Sequence, residues 1–358
     1  MRRHILLAAT LAALGTVSTN AMAGYVSSDG NTTIGGKFYG DLTYKHLKGD
    51  GHEVGNSGVG ADVKRFYFGV GHRFNDIWSV NLTTDFNYSS SDKNTQVFIK
   101  KAYVQAKFSP LATVRLGSAD MPWIPYDEGL YGFRYVENTL IDRLGLGHSA
   151  DWGVHLLGKE GMLGYAFSAV NGGGYHNPTR SKSVDFAGRV SAQPLPGLNV
   201  AVGGYVGKLG KNVSNAAPVN TVKRLDLIAA YVRPAYRIGV EYFKAYDWNN
   251  SGPTPIGVSD RGYGISAWGA VTPMRHITLF GRFDYAKPSQ DLQPGLKDYY
   301  FNVGVQDEVY KNVDLALVFK HEKWEDGNAG GGWKTSNTPS GFQNLNYNEV
   351  GLWTQVKF

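Results

Sequence analysis

The 358-residue chain contains no cysteine. That absence excludes a disulfide framework, a thiolate metal site and a cysteine nucleophile. Past its N-terminal segment the chain lacks any run of 18 apolar residues, so no helix in it is set up to cross a bilayer. Basic runs are missing too. The formal net charge is +6, and Arg2 and Arg3 are part of it, which gives nucleic-acid binding no support. Histidines spaced i, i+4 around a glutamate are absent, as is a glycine loop joining a strand to an amphipathic helix, which removes the zinc-protease and phosphate-cradling motifs. No metal and no cofactor is expected.

What the chain does have begins with an export signal. Met1-Arg2-Arg3-His4 is a short basic start, and Ile5 to Val17 is a small-residue apolar run. Ala21-Met22-Ala23 then fits a small-x-small cleavage site, with cutting expected between Ala23 and Gly24. The apolar run is too short for a membrane helix, which needs about 20 residues. The division expected is therefore a signal peptide, 1–23, and one mature domain, 24–358. The 46 glycines and 22 tyrosines suit a membrane barrel, where glycine lets strands bend and tyrosine sits at the headgroups. A mean hydropathy of −0.28 is compatible, because barrel strands meet lipid only at alternate positions.

A period of two runs through almost the whole mature chain. Trp78, Val80, Leu82, Phe86 and Tyr88 alternate with Ser79, Asn81, Thr83, Asp85 and Asn87. Ile277, Leu279, Phe283 and Tyr285 alternate with Thr278, Arg282 and Asp284. Strands are predicted at 33–48, 63–74, 77–89, 97–108, 112–120, 150–158, 163–171, 183–193, 198–209, 224–233, 236–247, 261–272, 277–287, 297–309, 313–324 and 347–358. Residues 224–233 alternate poorly, since Leu225, Leu227 and Ile228 leave the faces ambiguous. Short turn-forming links such as Asn75-Asp76, Pro234-Ala235 and Lys311-Asn312 alternate with long polar stretches such as 49–62, 172–182 and 326–346. That order predicts an all-β fold, a sixteen-stranded antiparallel transmembrane barrel with short periplasmic turns and long extracellular loops. Residues 24–32 are expected as a lead-in, and 326–346, with Gly330-Gly331-Gly332, as a mobile surface loop. Val350, Leu352 and Val356 lead to a terminal Phe358, the form of a barrel-assembly signal.

The third long connection, Met121 to Ser149, is the longest. It carries Trp123, Tyr126, Tyr131, Phe133 and Tyr135, which need a surface to pack on, and connections of this length are usually functional. Its charges are Asp127, Glu128, Arg134, Glu137, Asp142 and Arg143, a balance of two negative. Parity turns Lys37, Arg65, Lys101, Arg115, Arg189, Arg237 and Arg282 to the lumen, with Arg73, Lys107 and Lys320. Asp41, Asp85, Asp151, Asp185, Glu241, Asp284, Glu308 and Glu349 face the same way. An acidic loop opposite a basic wall would sort solutes by charge and radius without chemistry. For any single residue, a solvated or satisfied pair is the simpler reading.

Several stretches resemble the phosphate-selective porin O and P family, over residues 60 to 230. They are Val63-Lys64-Arg65-Phe66-Tyr67-Phe68-Gly69-Val70 leading into Asn75-Asp76-Ile77-Trp78, then Lys101-Ala102-Tyr103-Val104, Pro110-Leu111 and Val114-Arg115-Leu116-Gly117, and beyond the loop Arg143, Gly147 and Gly153-Val154. The resemblance implies a homotrimeric outer-membrane channel whose third loop folds inward as the pore constriction. Phosphate-selective members carry lysines on that loop and an arginine ladder above it. Here residues 121–149 hold no lysine. The expectation is therefore passive diffusion of small hydrophilic solutes and ions with weak anion preference, in contact with outer-membrane lipid and lipopolysaccharide.

Three rivals remain open. A phosphate- or polyphosphate-selective channel is one. A sugar channel is another, with Tyr39, Tyr67, Tyr103 and Trp353 as candidate stacking residues by parity. A barrel enzyme or a surface adhesin is of a different class. For the enzyme, His148, Ser149 and Asp151 form the nearest cluster, but neighbours on a strand point to opposite faces.

Overall fold

The computed structural model describes residues 24–55, 57–89, 94–178, 180–216, 218–248, 259–327 and 335–358. Ala21 and Ala23 of the expected cleavage site, with the rest of 1–23, lie outside the described residues, as does Gly330-Gly331-Gly332. Eighteen strands follow one another: β1 (Gly24–Val26), β2 (Thr32–Gly49), β3 (His52–Glu53), β4 (Gly58–Arg73), β5 (Trp78–Ser89), β6 (Asn94–Ser109), β7 (Ala112–Asp120), β8 (Ala150–Glu160), β9 (Leu163–Val170), β10 (Asp185–Leu195), β11 (Leu198–Gly207), β12 (Val222–Arg233), β13 (Tyr236–Tyr246), β14 (Arg261–Met274), β15 (Ile277–Lys287), β16 (Lys297–Tyr310), β17 (Val313–Glu325) and β18 (Leu345–Lys357). Two short helices, α1 (Ile124–Tyr131) and α2 (Leu140–Arg143), lie in the third loop.

Each of the sixteen long strands pairs antiparallel with the next, and β18 closes the ring on β2 from Leu345↔Gly49 to Lys357↔Lys37. Closure leaves no unpaired edge within the wall, the condition a sheet must meet in lipid. Past the end of β18, Phe358 exchanges backbone hydrogen bonds with Gly36 (2.7 and 3.1 Å), and Gly24 of β1 pairs with the next residue, Gly35. The free edge of β2 is thus covered first by the C-terminus and then by β1, within a stretch expected only as a lead-in. The Phe358 ring lies 5.8 Å from that of Phe66.

The outer surface carries the apolar halves of the alternating pattern. Leu279, Phe283, Val303, Val305, Leu317 and Leu352 are all exposed, as lipid-facing side chains must be. Two departures from the sequence reading have local causes. β4 starts at Gly58, five residues ahead of the expected start at 63, because Gly58 and Gly60 give no alternation signal while β2 still offers a ladder there. β12 resolves its ambiguity by turning Leu225 and Leu227 out and Ile228 in, where only 4% of Ile228 is exposed. The inward face of β12 carries the paired Arg224 and Asp226 and then the apolar Ile228 and Ala230, and something apolar covers the last two.

Candidate functional site

That cover is the third loop, 121–149. Its start is fixed by Pro125 in the first turn of α1, where a missing N–H costs nothing. α1 ends at Gly132, whose φ of +83° favours glycine. The Arg237 guanidinium occupies the space a β-carbon would take there. Trp123, Ile124, Leu130, Tyr131, Phe133, Tyr135, Leu140, Ile141 and Leu146 form one buried cluster with inward wall residues, among them Tyr205, Phe243, Trp268, Phe280 and Trp353. Phe133 stacks on Phe280 at 4.2 Å, and Tyr131 meets Trp268 edge-on at 5.9 Å. Each fully buried aliphatic side chain in such a cluster stabilises it by about 1.5–3 kcal/mol.

Wall cations hold the loop's main chain. Arg189 Nε donates to Pro122 O (2.8 Å), Arg237 Nη1 to Leu130 O and Tyr131 O (3.2 Å each) and Lys320 Nζ to Val136 O (2.7 Å). Arg282 donates to Asn138 O and Arg224 to Leu146 O. These five cations come from β10, β12, β13, β15 and β17. Charge-assisted hydrogen bonds of this kind contribute about 1.5–3 kcal/mol each. The loop reciprocates with Arg143, which is fully buried and fans out to Asp284 (3.1 Å), Asp298 (2.5 Å) and Glu322 (2.8 Å) beside the Tyr300 ring. Trp123 Nε1 donates to Glu241 Oε1 (3.1 Å).

The acids of the loop divide by environment. Burial pushes the Asp127 carboxyl up to about 6, against the Glu241 carboxyl that faces it. Burial would raise Glu137 too, but Lys320 and then Arg282 outweigh it and hold it at about 2. Glu128 and Asp142 both pair with Arg134, at 2.6 and 3.4 Å. The eighth long connection docks on the same assembly. Ser336 N donates to Arg143 O (2.9 Å), and Asn337 Nδ2 to Glu137 and Glu322 (3.0 Å each). This part of 326–346 is therefore not a mobile surface loop, because the carboxylates around Arg143 supply its partners.

Open space remains at two places beside the loop. One, of about 270 Å³, lies between Gly132 and Phe133 and the short-turn ends of β12–β18, lined among others by Arg237, Glu308, Asp314 and Lys357. The other, a cavity of about 340 Å³, runs between the loop residues Pro125, Glu128 and Arg134 and the inner faces of β1, β2 and β4–β6. Four bases line it, Lys37, Lys100, Lys101 and Arg134, against two acids, Asp120 and Glu128. Lys101 pairs with Asp120 (3.0 Å) and Arg134 with Glu128, so the excess of two positive charges sits on Lys37 and Lys100. Lys100 Nζ donates to Tyr67 OH (3.1 Å) and lies over that ring and the Tyr175 ring, at 4.6 and 5.5 Å. Of the candidate stacking residues, Tyr39, Tyr67 and Tyr103 line the cavity, whereas Trp353 is fully buried under Lys320 at 4.5 Å.

The predicted wall bases thus fall into two groups. Lys37 and Lys101 line the cavity. Arg65, 3.7 Å from Asp85, and Arg115, on Gln105 (2.8 Å) and the Tyr103 ring (4.9 Å), face the lumen nearby. Arg189, Arg237 and Arg282 also face inward, but they are engaged by loop carbonyls. Sequence reasoning missed Lys100, Lys64 and Arg224. Lys100 is the extra residue of a bulge where Thr83 pairs with Lys101 and Thr84 with Ile99. Lys64 is its counterpart in β4, where Tyr39 pairs with Arg65 and Gly40 with Val63, and it reaches Asp41 (3.2 Å). The doublets Lys64-Arg65 and Lys100-Lys101 are their only sequence signal. Of the candidate catalytic cluster, Asp151 accepts the backbone N–H groups of Trp152 (2.7 Å) and Gly172 (3.0 Å).

No family model matches the chain, and no curated protein does. Solved structures do match in fold. The outer-membrane channel DcaP of Acinetobacter baumannii aligns over 94% of this chain and 100% of its own, with TM-score 0.64 and 13% identity. An anion-selective porin from Comamonas acidovorans aligns over 90% and 99%, with TM-score 0.62 and 13% identity. The trimer form of OmpT of Vibrio cholerae aligns over 92% and 100%, with TM-score 0.60 and 13% identity. The chain has the closed sixteen-stranded fold of outer-membrane porins.

Proposed function

We propose that the protein is a diffusion channel of the bacterial outer membrane, passing small hydrophilic solutes and ions with a weak preference for anions. The observation that carries this reading is the cavity beside the third loop, with four bases against two acids and two lysines, Lys37 and Lys100, that have no carboxylate partner among the described residues. Fixed charge on a narrow aqueous wall selects by sign without a chemical step. In this reading the third loop is the constriction, and Glu128 and Arg134 are its pore-facing charges. Asp127, Glu137, Asp142 and Arg143 seat it. Arg65, Lys101 and Arg115 shape the field that Lys37 and Lys100 dominate. Residues 1–23 are a signal cut after Ala23, Phe358 directs assembly, and three copies associate.

One observation keeps a phosphate-preferring channel as the second reading. Lys37, Lys100 and Lys101 give the wall the lysines that the loop lacks. Planar-bilayer conductance of the purified protein separates the two, with phosphate titrated into potassium chloride. A diffusion channel gives ohmic steps in groups of three that millimolar phosphate leaves unchanged. Block at low phosphate concentration would establish the second reading instead.

A further inference from the structure

The cavity along β1, β2 and β4–β6 has two kinds of wall. At one level Lys37 stands directly across the ladder from Tyr67, and Lys100 Nζ donates to the Tyr67 hydroxyl (3.1 Å). A phenol both accepts and donates. With its oxygen accepting from Lys100, Tyr67 still has its own O–H to give, and no acceptor for it lies among the described residues. The cross-strand neighbours of Lys37 are Tyr67 and Lys357, neither of them an acid. Lys37, Tyr67 and Lys100 thus stand side by side as donors, a set that suits one oxyanion.

From Tyr67 toward the short turns the wall changes. The next inward positions on β4 are Gly69 and Gly71, and Gly35 of β2 lies opposite Gly69. Their missing side chains leave a recess. Across from the two β4 glycines are Thr83 and Asn81 of β5, and Thr33 and Tyr103 complete the lining. Thr83 Oγ1 donates to Asn81 Oδ1 (3.1 Å). The Asn81 amide N–H groups and the Thr33 and Tyr103 hydroxyls are left without a protein partner among the described residues. The Arg115 guanidinium holds the Tyr103 ring at 4.9 Å.

We infer that this cavity binds a sugar carrying one anionic group, a sugar phosphate or a sugar acid, with the anion on Lys37, Tyr67 and Lys100 and the hydroxylated ring in the glycine recess. The inference rests on the channel reading above and gives it a solute class. A volume of about 340 Å³ exceeds what a bare anion fills, and it falls in the range of about 300–1,000 Å³ that receives whole small molecules. An apolar solute would leave the hydroxyl and amide groups of the recess unpaired, at a cost in affinity. A sugar ring meets both demands, with hydroxyls for Thr33 and Asn81 and a C–H face for the Tyr103 ring.

Isothermal titration calorimetry of the full-length protein in detergent tests this, with glucose 6-phosphate and glucuronate as probes and glucose, inorganic phosphate and acetate as comparisons. The anionic sugars are expected to bind more tightly than all three comparisons, by roughly tenfold or more. Binding of glucose 6-phosphate alone would identify the anion as a phosphate ester, and of glucuronate alone as a carboxylate. Y67F removes one hydrogen bond to a charged group and should weaken the anionic sugars by roughly tenfold, with no effect on glucose. K37Q and K100Q should act in the same way, and they carry the comparison if Y67F does not fold. N81A should weaken binding of the sugars and leave that of phosphate unchanged, which separates a sugar recess from a patch of positive charge. K311Q, at an exposed turn, should bind as the wild type does. No binding of either anionic sugar, equal affinity for phosphate or acetate, or wild-type affinity in both K37Q and K100Q would overturn the inference. Planar-bilayer conductance of the same samples reads the channel separately. Anionic-sugar binding by a protein that conducts no ions refutes the channel and leaves the site, while normal conductance with no preference for anionic sugars refutes the site alone.

Discussion

Lys100 owes its place in the lumen to one extra residue in β6. Strict alternation turns Lys101 inward and Lys100 to lipid, and the bulge brings both to the water side. Parity could therefore find Lys37 and Lys101 but not the second of the two lysines that carry the unpaired charge. Parity also could not tell Lys37 from Arg189, since both face inward. What separates them is the carbonyl of Pro122, and a backbone acceptor from a distant loop leaves no mark on the strand that meets it. Neutralising Arg115 or Arg189 would be expected from sequence to shift ion preference alike, whereas the structure ties Arg189 to loop seating. Gly132 is legible as a helix end but not as the seat of a guanidinium. Gly132→Ala strains a left-handed residue and displaces Arg237 from two carbonyls. It should lower the stability of the seated loop by about 1–2 kcal/mol, read as faster proteolysis of residues 121–149 with the barrel intact.

At the scale of the element, the third loop was recognisable as an ordered insert from its aromatics, and its consequence for the wall was not. Some inward positions opposite it, such as Ile228 and Ala230, are apolar, which blurs the alternation of β12, and Ile228 reads correctly only once the loop covers it. Arg143→Gln removes a buried cation from Asp284, Asp298 and Glu322 and leaves their charges facing one another. Breaking a buried network in this way costs about 3–5 kcal/mol. The loop should loosen around α2, with larger and noisier single-channel conductance; unchanged traces would mean that the hydrophobic cluster alone seats it. Asp127 supplies a pH dependence of opposite sense to an ordinary ion pair. Its folded value near 6 lies above the unfolded value near 4, so the folded loop holds a proton that the released loop has lost. Its stabilisation is complete below about pH 4 and is lost as pH rises through about 6. Thermal unfolding from pH 4 to 8 should show this slope, and Asp127→Asn should flatten it. A slope that survives in the variant would assign it to another group.

For the whole molecule, the alternation of short and long connections carried the sixteen strands and their order, and the closure of β18 on β2 follows from the need to leave no edge in lipid. The distribution of open space did not follow. Five wall cations and one loop arginine fix the loop against β10–β17, which leaves one cavity along β1, β2 and β4–β6 and a second, of about 270 Å³, between Gly132 and Phe133 and the short-turn ends of β12–β18. Ten inward bases against eight acids left the field to depend on where each sits, and the cavity along β1–β6 is biased by two charges because several of the other bases are engaged by the loop. The most direct measurement is the zero-current potential of reconstituted channels across a potassium chloride gradient, for the wild type, K37Q/K100Q and R189Q. A lysine a few ångströms from a permeating ion changes its relative free energy enough for roughly a threefold effect. The expected result is a modest anion preference in the wild type, its loss or reversal in K37Q/K100Q, and a potential near the wild-type value in R189Q. A wild-type potential in K37Q/K100Q, or a shift as large in R189Q, would contradict the assignment of the ion path to the cavity on the β1–β6 side.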